Sequence, residues 1–357
     1  MPATFALLGC THPHSRGHLA TLRLLPEVER IWLWDPDRAA AEKLAEEAGP
    51  KLAGVTDDLA VALREEVEFA LVCRRNDETP DTVVAAARAG KHIMSEKPMA
   101  TTAARLRPVL EEVAATGVTL GVCYPWRCHP AARDLSALVR GGLLGRLLAT
   151  EARMVTSQVR YRDPSHWLFS REHGGGGILH WLGCHFLDLL RFLTGEEVTH
   201  VSALTGTLNG FPLEVEDTAS VSMRWNSGAI GSFTAGYHLP RSTAGYSGAA
   251  YDTYLAARGL EGRFHWRPTH AEEAVYVEST HPDWATAPER EFRYRLEPTE
   301  AYGGAYGLEF VRHFIHAARE GRSPIAGGTD ALRVLEWVEA AYLSARTQTT
   351  VPLTVSP

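Results

Sequence analysis

The chain opens with a rhythm of short apolar runs and longer amphipathic ones. Residues 4–9, "TFALLG", form a strand-like run ending in glycine. "SRGHLATLRLL" follows with helical spacing, and Ser15 is its expected N-cap. "RIWLWD" reads as the next strand and "PDRAAAEKLAEEAG" as the next helix, with Pro36 at its start and Gly49 at its end. "KLAGV" and "EFALVC" are further strands, and "TPDTVVAAARAG" is a helix closed by Gly90. "HIMSE" and "VTLGVCY" complete the series. Short buried strands alternating with helices predict an α/β fold built on a doubly wound parallel sheet. Such sheets bind ligands at the carboxyl ends of their strands.

The later pattern differs. After a helix from about Pro130 to Arg140 comes a long strand, "RLLATEARMVT". A glycine-led helix, "GGGGILHWLGCHFLDLLRFL", follows from Gly174. "VTHVSALTG", "DTASVSMRW" and "GAIGSFTAGYH" then show partial alternation with turn breaks such as Asn226-Ser227-Gly228. These predict an α+β domain with a large, mainly antiparallel open sheet, one face covered by helices. Two late helices close the chain. The expected division is 1–123 and 124–357, with the last helices free to pack back on the first domain.

Composition narrows the function. At 357 residues the chain is long enough for two domains. Its formal net charge of −7 gives no electrostatic footprint for nucleic acid. No apolar run approaches the roughly 20 residues that span a bilayer. "MPATFALLGC" lacks a basic region, so no signal peptide is expected. Five cysteines, none in a CxxC pair, read as free thiols of a reducing cytoplasm.

A dinucleotide fold needs a glycine after its first strand and an acid at the end of the second. Gly9 and Asp35 fit those roles. Asp35 would accept hydrogen bonds from the adenosine ribose and repel a 2′-phosphate, which favours NAD over NADP. The loop reads "GCTHPHSRGH", with Thr11 and His14 where further glycines are usual. His12 or His14 either donates to the pyrophosphate in place of backbone amides or lines a surface loop. No closed metal-ligand spacing is present, so no metal is expected.

"AGKHIMSEKPMA" carries a strand ending in Glu96-Lys97-Pro98, and the glycine-led helix carries an H-x-x-D pattern at His185 and Asp188. With "YPWRCHP", "GGLLGRLLATEAR" and "DALRVLEWVEAAYLSAR", the chain resembles the Gfo/Idh/MocA family over nearly its whole length. The resemblance implies a Rossmann domain followed by an open-sheet domain that often serves for oligomerisation, as a homodimer or homotetramer. It implies NAD(P)-linked oxidation or reduction of a sugar, cyclitol or related polyol. It places Lys97 as the catalytic, cofactor-contacting lysine, Glu96 near the nicotinamide ribose, Pro98 after an often cis bond, and Arg127 near the substrate. Arg74 and Asn76 join the expected cofactor contacts. His185 and Asp188 match the end of D-x-G-x-H-x-x-D, whose first aspartate is replaced here by Trp181.

Oxidising a secondary alcohol sends a hydride to nicotinamide and a proton to a base. Histidine suits that base, so His185 is the candidate, with Lys97 steadying alkoxide character. On a regular helix Trp181, His185 and Asp188 share one face, at i, i+4 and i+7. Asp188 either steadies His185 or pairs with Arg191. Tyr161, His166 and Trp167 are candidate substrate contacts, or ordinary packing. The glycine run is expected to let the chain pass close to the cofactor. Two other functions stay open. One is a redox-neutral lyase or glycosidase using transient oxidation; the other is a non-catalytic nucleotide sensor.

Overall fold

The computed structural model describes residues 2–242, 250–268 and 273–354. The chain forms two compact units: Met1–Cys128 with Leu296–Leu332, and His129–Arg295 with Arg333–Pro357.

The first unit alternates strand and helix. In chain order come β1 (Ala3–Leu8), α1 (Ser15–Leu24), β2 (Val28–Trp34), α2 (Arg38–Ala45), β3 (Leu52–Thr56) and α3 (Leu59–Ala62). β4 (Phe69–Val72), α4 (Thr79–Arg88), β5 (His92–Ser95), α5 (Ala103–Thr116) and β6 (Leu120–Val122) follow. The sheet order is β3-β2-β1-β4-β5-β6, all parallel. The chain direction across the sheet reverses between β1 and β4, where such folds bind ligands. β4 is buried throughout, as a strand covered on both faces requires.

Local chemistry moves several expected boundaries. Ser15 is the first helical residue, not the cap; its Oγ donates to Gly9 O at 2.9 Å. α2 begins at Arg38 and not at Pro36, and Asp37 caps it, accepting from the Ala39 and Ala40 amides. α2 stops at Ala45, before Gly49. α5 was not legible in the sequence. Thr102 caps it and Gly117, at φ 71°, ends it.

The second unit begins with α6 (Pro130–Arg140), β7 (Leu147–Ser157) and the short α7 (Arg171–Gly174). A π-helical turn, Leu179–Gly183, leads into α8 (Cys184–Thr194). Then come β8 (Val198–Gly206), β9 (Thr218–Trp225), β10 (Ile230–Leu239) and β11 (Tyr251–Gly259). β12 (Gly262–Trp266), β13 (Glu273–Ser279) and β14 (Glu289–Tyr294) extend the sheet. α9 (Ala305–Arg319) belongs to the first unit, α10 (Gly328–Thr347) runs from the first into the second, and β15 is Val351–Pro352.

The sheet order is β14-β13-β12-β11-β7-β10-β9-β8-β15. Every pairing is antiparallel except β10 with β7. β9 alternates buried and exposed residues, so one face is packed and one is solvated. Phe186 of α8 stacks on Phe233 of β10, with ring centroids 6.4 Å apart. Trp337 of α10 meets Trp225 of β9 edge-on at 5.8 Å. On the other face Tyr254, His265 and Tyr276 stack across β11, β12 and β13.

Candidate active site

In the first unit, Gly9 ends β1 at φ 113°. A Cβ there would stand 2.1 Å from the Cys73 carbonyl oxygen, so only glycine fits where β1 passes β4. Asp35 follows β2 and is buried. Its Oδ2 accepts from the Cys10 amide at 2.7 Å and its Oδ1 from the Asp37 amide at 3.0 Å. Arg74 lies 3.6 Å from Asp35, pairs with Glu78 and stands 5.3 Å from the Trp34 ring centroid. Burial, with the Asp35 carboxylate, pushes the Cys10 thiol up to about 12. Thr11 is exposed and Asn76 buried.

The histidines of the loop turn inward. His12 Nδ1 accepts from the His14 amide at 3.1 Å and lies 3.3 Å from Cys73 Sγ. An acceptor at Nδ1 places the proton of a neutral ring on Nε2. His14 Nδ1 stands 3.1 Å from Glu96 Oε1, and His18 Nε2 stands 2.6 Å from the same oxygen. Tyr302 packs against both rings, at 4.7 and 4.3 Å. His18 and Tyr302 were missed in the sequence. The i, i+4 spacing of His14 and His18 was the available signal for the first.

Burial dominates the electrostatics of this cluster. It pushes His12 well below the usual imidazole range and His14 below it. It pushes the Cys73 and Cys123 thiols well above theirs. Burial also pushes Glu96 upward, but charge and hydrogen bonding from His14 and His18 hold it well below the usual carboxylate range.

His18, Glu96 and Cys123 bring ligand-type atoms within 4.8 Å of one another. A metal ion there would have to replace the 2.6 Å His18–Glu96 contact and take the proton from a thiol that burial protects. The cluster fits a hydrogen-bond network better than a metal centre.

Lys97 is 1% exposed, and its amide donates to Glu96 Oε2 at 3.2 Å. The Lys97–Pro98 peptide is cis, as expected. Arg127 has internal partners: its Nη1 donates to Ile325 O at 2.7 Å and its Nη2 pairs with Asp330 at 2.8 Å.

In the second unit the glycine run has a cause that the sequence reading did not supply. A Cβ on Gly177 would stand 1.7 Å from the Glu216 carbonyl oxygen, and one on Gly176 2.1 Å from the Tyr342 hydroxyl. The run lets the chain press against Glu216 and Tyr342. Glu216 is buried and had no sequence signal beyond being an acid just before β9.

Trp181 lies in the π-helical turn and His185 in α8, so spacing based on 3.6 residues per turn does not carry across. Trp181, His185 and Asp188 are all buried. The Arg191 guanidinium grips Glu197, with Nε at 2.9 Å from the carboxylate. Trp167 meets Trp181 edge-on at 6.1 Å, and His166 lies 5.4 Å from Trp167. These three rings form one cluster. His166 Nδ1 accepts from the Leu168 amide, and burial lowers its pKa. The Tyr161 hydroxyl donates to Pro240 O.

The first unit fits a dinucleotide. It has a glycine turn without room for a side chain, a helix that begins at Ser15 after a short loop, and an acid just after β2. The arrangement is that of a dinucleotide-binding Rossmann domain. Residues 4–124 match the family described as oxidoreductase family, NAD-binding Rossmann fold, and residues 132–265 match the GFO/IDH/MocA C-terminal domain. The chain belongs to the Gfo/Idh/MocA family.

It is 28% identical to D-apiose dehydrogenase of Paraburkholderia graminis, over 98% of this chain and 89% of the relative. It is 27% identical to inositol 2-dehydrogenase of Rhizobium meliloti, over 96% and 97%. An oxidoreductase domain protein from Kribbella flavida shares the fold, with a TM-score of 0.86 at 21% identity, covering 99% of this chain and 100% of that one. Levoglucosan dehydrogenase in complex with NADH and levoglucosan also shares it, with a TM-score of 0.84 at 21% identity and 99% of each chain covered. Among the described residues, no helix is long and apolar enough to cross a membrane.

Proposed function

We propose that the protein is an NAD-dependent dehydrogenase acting on a secondary hydroxyl of a sugar, cyclitol or related polyol. The observation that carries this reading is the buried Lys97, placed just beyond the carboxyl end of β5 in a Rossmann sheet. The named relatives, D-apiose and inositol dehydrogenases, support a hydroxyl-rich substrate and net redox chemistry over a redox-neutral cycle.

Gly9, Thr11, His12, His14, Asp35, Arg74, Asn76, Glu96 and Pro98 are the residues assigned to hold the cofactor. NAD, when bound, accepts the hydride. Lys97 steadies the reacting oxygen as it gains negative charge, and His185 takes its proton. Asp188 supports His185. Trp181 donates only through its indole N–H, so it supplies an apolar wall where the family usually has a carboxylate. Beside it the half-buried Trp167 and His166 offer ring surface to a ring-shaped polyol. Tyr161 and Arg127 are assigned to substrate binding.

We further assign the solvated sheet face, with exposed Ile230 and Tyr276, to a homodimer or homotetramer contact. The five free thiols suit a cytoplasmic protein. The test is a panel of D-apiose, myo-inositol, levoglucosan and simple aldoses with NAD. Substrate-dependent NADH formation is expected. Substrate consumed without NADH, or reaction only with NADP, contradicts the reading.

A further inference from the structure

We infer that Glu216, together with Tyr342, is a positioning residue for His185: it fixes the start of the helical run that presents the imidazole. The inference rests on the proton-transfer role given to His185 above.

The first amides of a helix have no partners within it, and they favour negative charge. Here one residue takes three in succession. Glu216 Oε2 accepts from the Gly177 amide at 2.9 Å, and Oε1 from the Leu179 amide at 3.0 Å. The Glu216 backbone carbonyl accepts from the Ile178 amide at 3.2 Å. Tyr342, on α10, donates its hydroxyl to Oε1 at 2.9 Å. Gly176 and Gly177 are the positions where any side chain would force these groups apart.

The clamp is itself anchored. Next to Glu216, the Asp217 carboxylate accepts from the Leu208 and Asn209 amides and the Thr218 hydroxyl. The Asp217 carbonyl accepts from the Tyr237 amide of β10 at 2.9 Å. Glu216 is therefore fixed to the sheet on one side and to α10 on the other.

The location of the clamp gives it leverage. Leu179, the last residue held, is the first of the π-helical turn, and His185 comes six residues later. A π turn is an uncommon departure from α geometry, often found at functional sites. With its beginning pinned, Trp181 and His185 have one setting. With it released, the turn can revert to α geometry, rotating both side chains. Misplacement of a reacting group by about 1 Å can cost roughly 100-fold in rate.

The test uses Glu216→Gln, Tyr342→Phe, His185→Ala and the Glu216→Gln/His185→Ala double variant in the full chain. One readout needs no substrate: the ring proton–carbon NMR signals of His185 at fixed pH, assigned by their loss in His185→Ala. Glu216→Gln should move those signals. With whichever panel polyol yields NADH, it should lower kcat about 10- to 100-fold, with KM and NAD affinity within about twofold. Tyr342→Phe should do the same to a smaller extent. In the His185→Ala background, Glu216→Gln should add little further loss.

A folded Glu216→Gln with parental His185 signals and parental kcat overturns the inference. If Glu216→Gln fails to fold, Tyr342→Phe decides by the same two readouts. If His185→Ala turns over at the parental rate, the proton-transfer role fails instead, and the NMR signals alone judge the positioning.

Discussion

His18 Nε2 stands 2.6 Å from Glu96 Oε1, joining the first helix to the end of β5 at the heart of the first unit. The loop between β1 and α1 lacks most of its expected glycines, and this contact helps fix it. Within the loop, His12 accepts from the His14 amide, and His14 reaches Glu96 and packs on Tyr302.

The Glu96 carboxylate should tie stability to pH with a definite sign. Its folded pKa lies below the unfolded value of 4.5. Its stabilising contribution is therefore fully present above pH 4.5 and is lost as pH falls through the folded value. Glu96→Gln should cost about 2 kcal/mol at neutral pH. It should also flatten the acid limb of a plot of urea midpoint against pH. An unchanged acid limb would show that Glu96 is not held ionised by the histidines.

Cofactor choice should follow Asp35. NAD(H) should bind more tightly than NADP(H), and Asp35→Ala should narrow the gap by removing both an acceptor and a repulsive charge. The substitution also strips partners from the Cys10 and Asp37 amides, so some stability should be lost. Calorimetry on the folded proteins decides. Tighter NADP(H) binding by the parent protein contradicts the assignment.

Gly177→Ala should be far costlier than an ordinary glycine substitution. Its Cβ would overlap the Glu216 carbonyl at 1.7 Å, whereas a Cβ on Gly210 meets nothing within 4 Å. Gly210→Ala carries only the strain of its positive φ, about 1 kcal/mol. Gly177→Ala should cost about 3 kcal/mol or more. Urea denaturation of the two variants side by side checks this, and equal losses would mean that the glycine run is not tightly packed.

The residues that revealed most in the sequence were those whose chemistry is local. Gly9, Asp35 and the Glu96-Lys97-Pro98 turn sit at strand ends, where an apolar run meets a residue it cannot bury unaided. The strands of the first sheet were legible because strands covered on both faces are continuously apolar. β14, "EREFRY", was not, because charged residues on its open face hide the strand signal. Glu216 was hidden because its partners, Gly177, Leu179 and Tyr342, are 37 to 126 residues away. The π turn was hidden because the 181, 185, 188 spacing looks the same in sequence whether or not the helix is regular.

The most direct measurement follows the hydride itself. A panel polyol that yields NADH is prepared with deuterium on the oxidised carbon, and single-turnover products are read by mass spectrometry. The parent protein should move the deuterium onto the cofactor. Lys97→Met and His185→Ala, both still folded, should do so roughly 10²–10⁴-fold more slowly. Deuterium remaining in a sugar product while the cofactor ends unreduced, or transfer at the parental rate by both variants, would contradict the account.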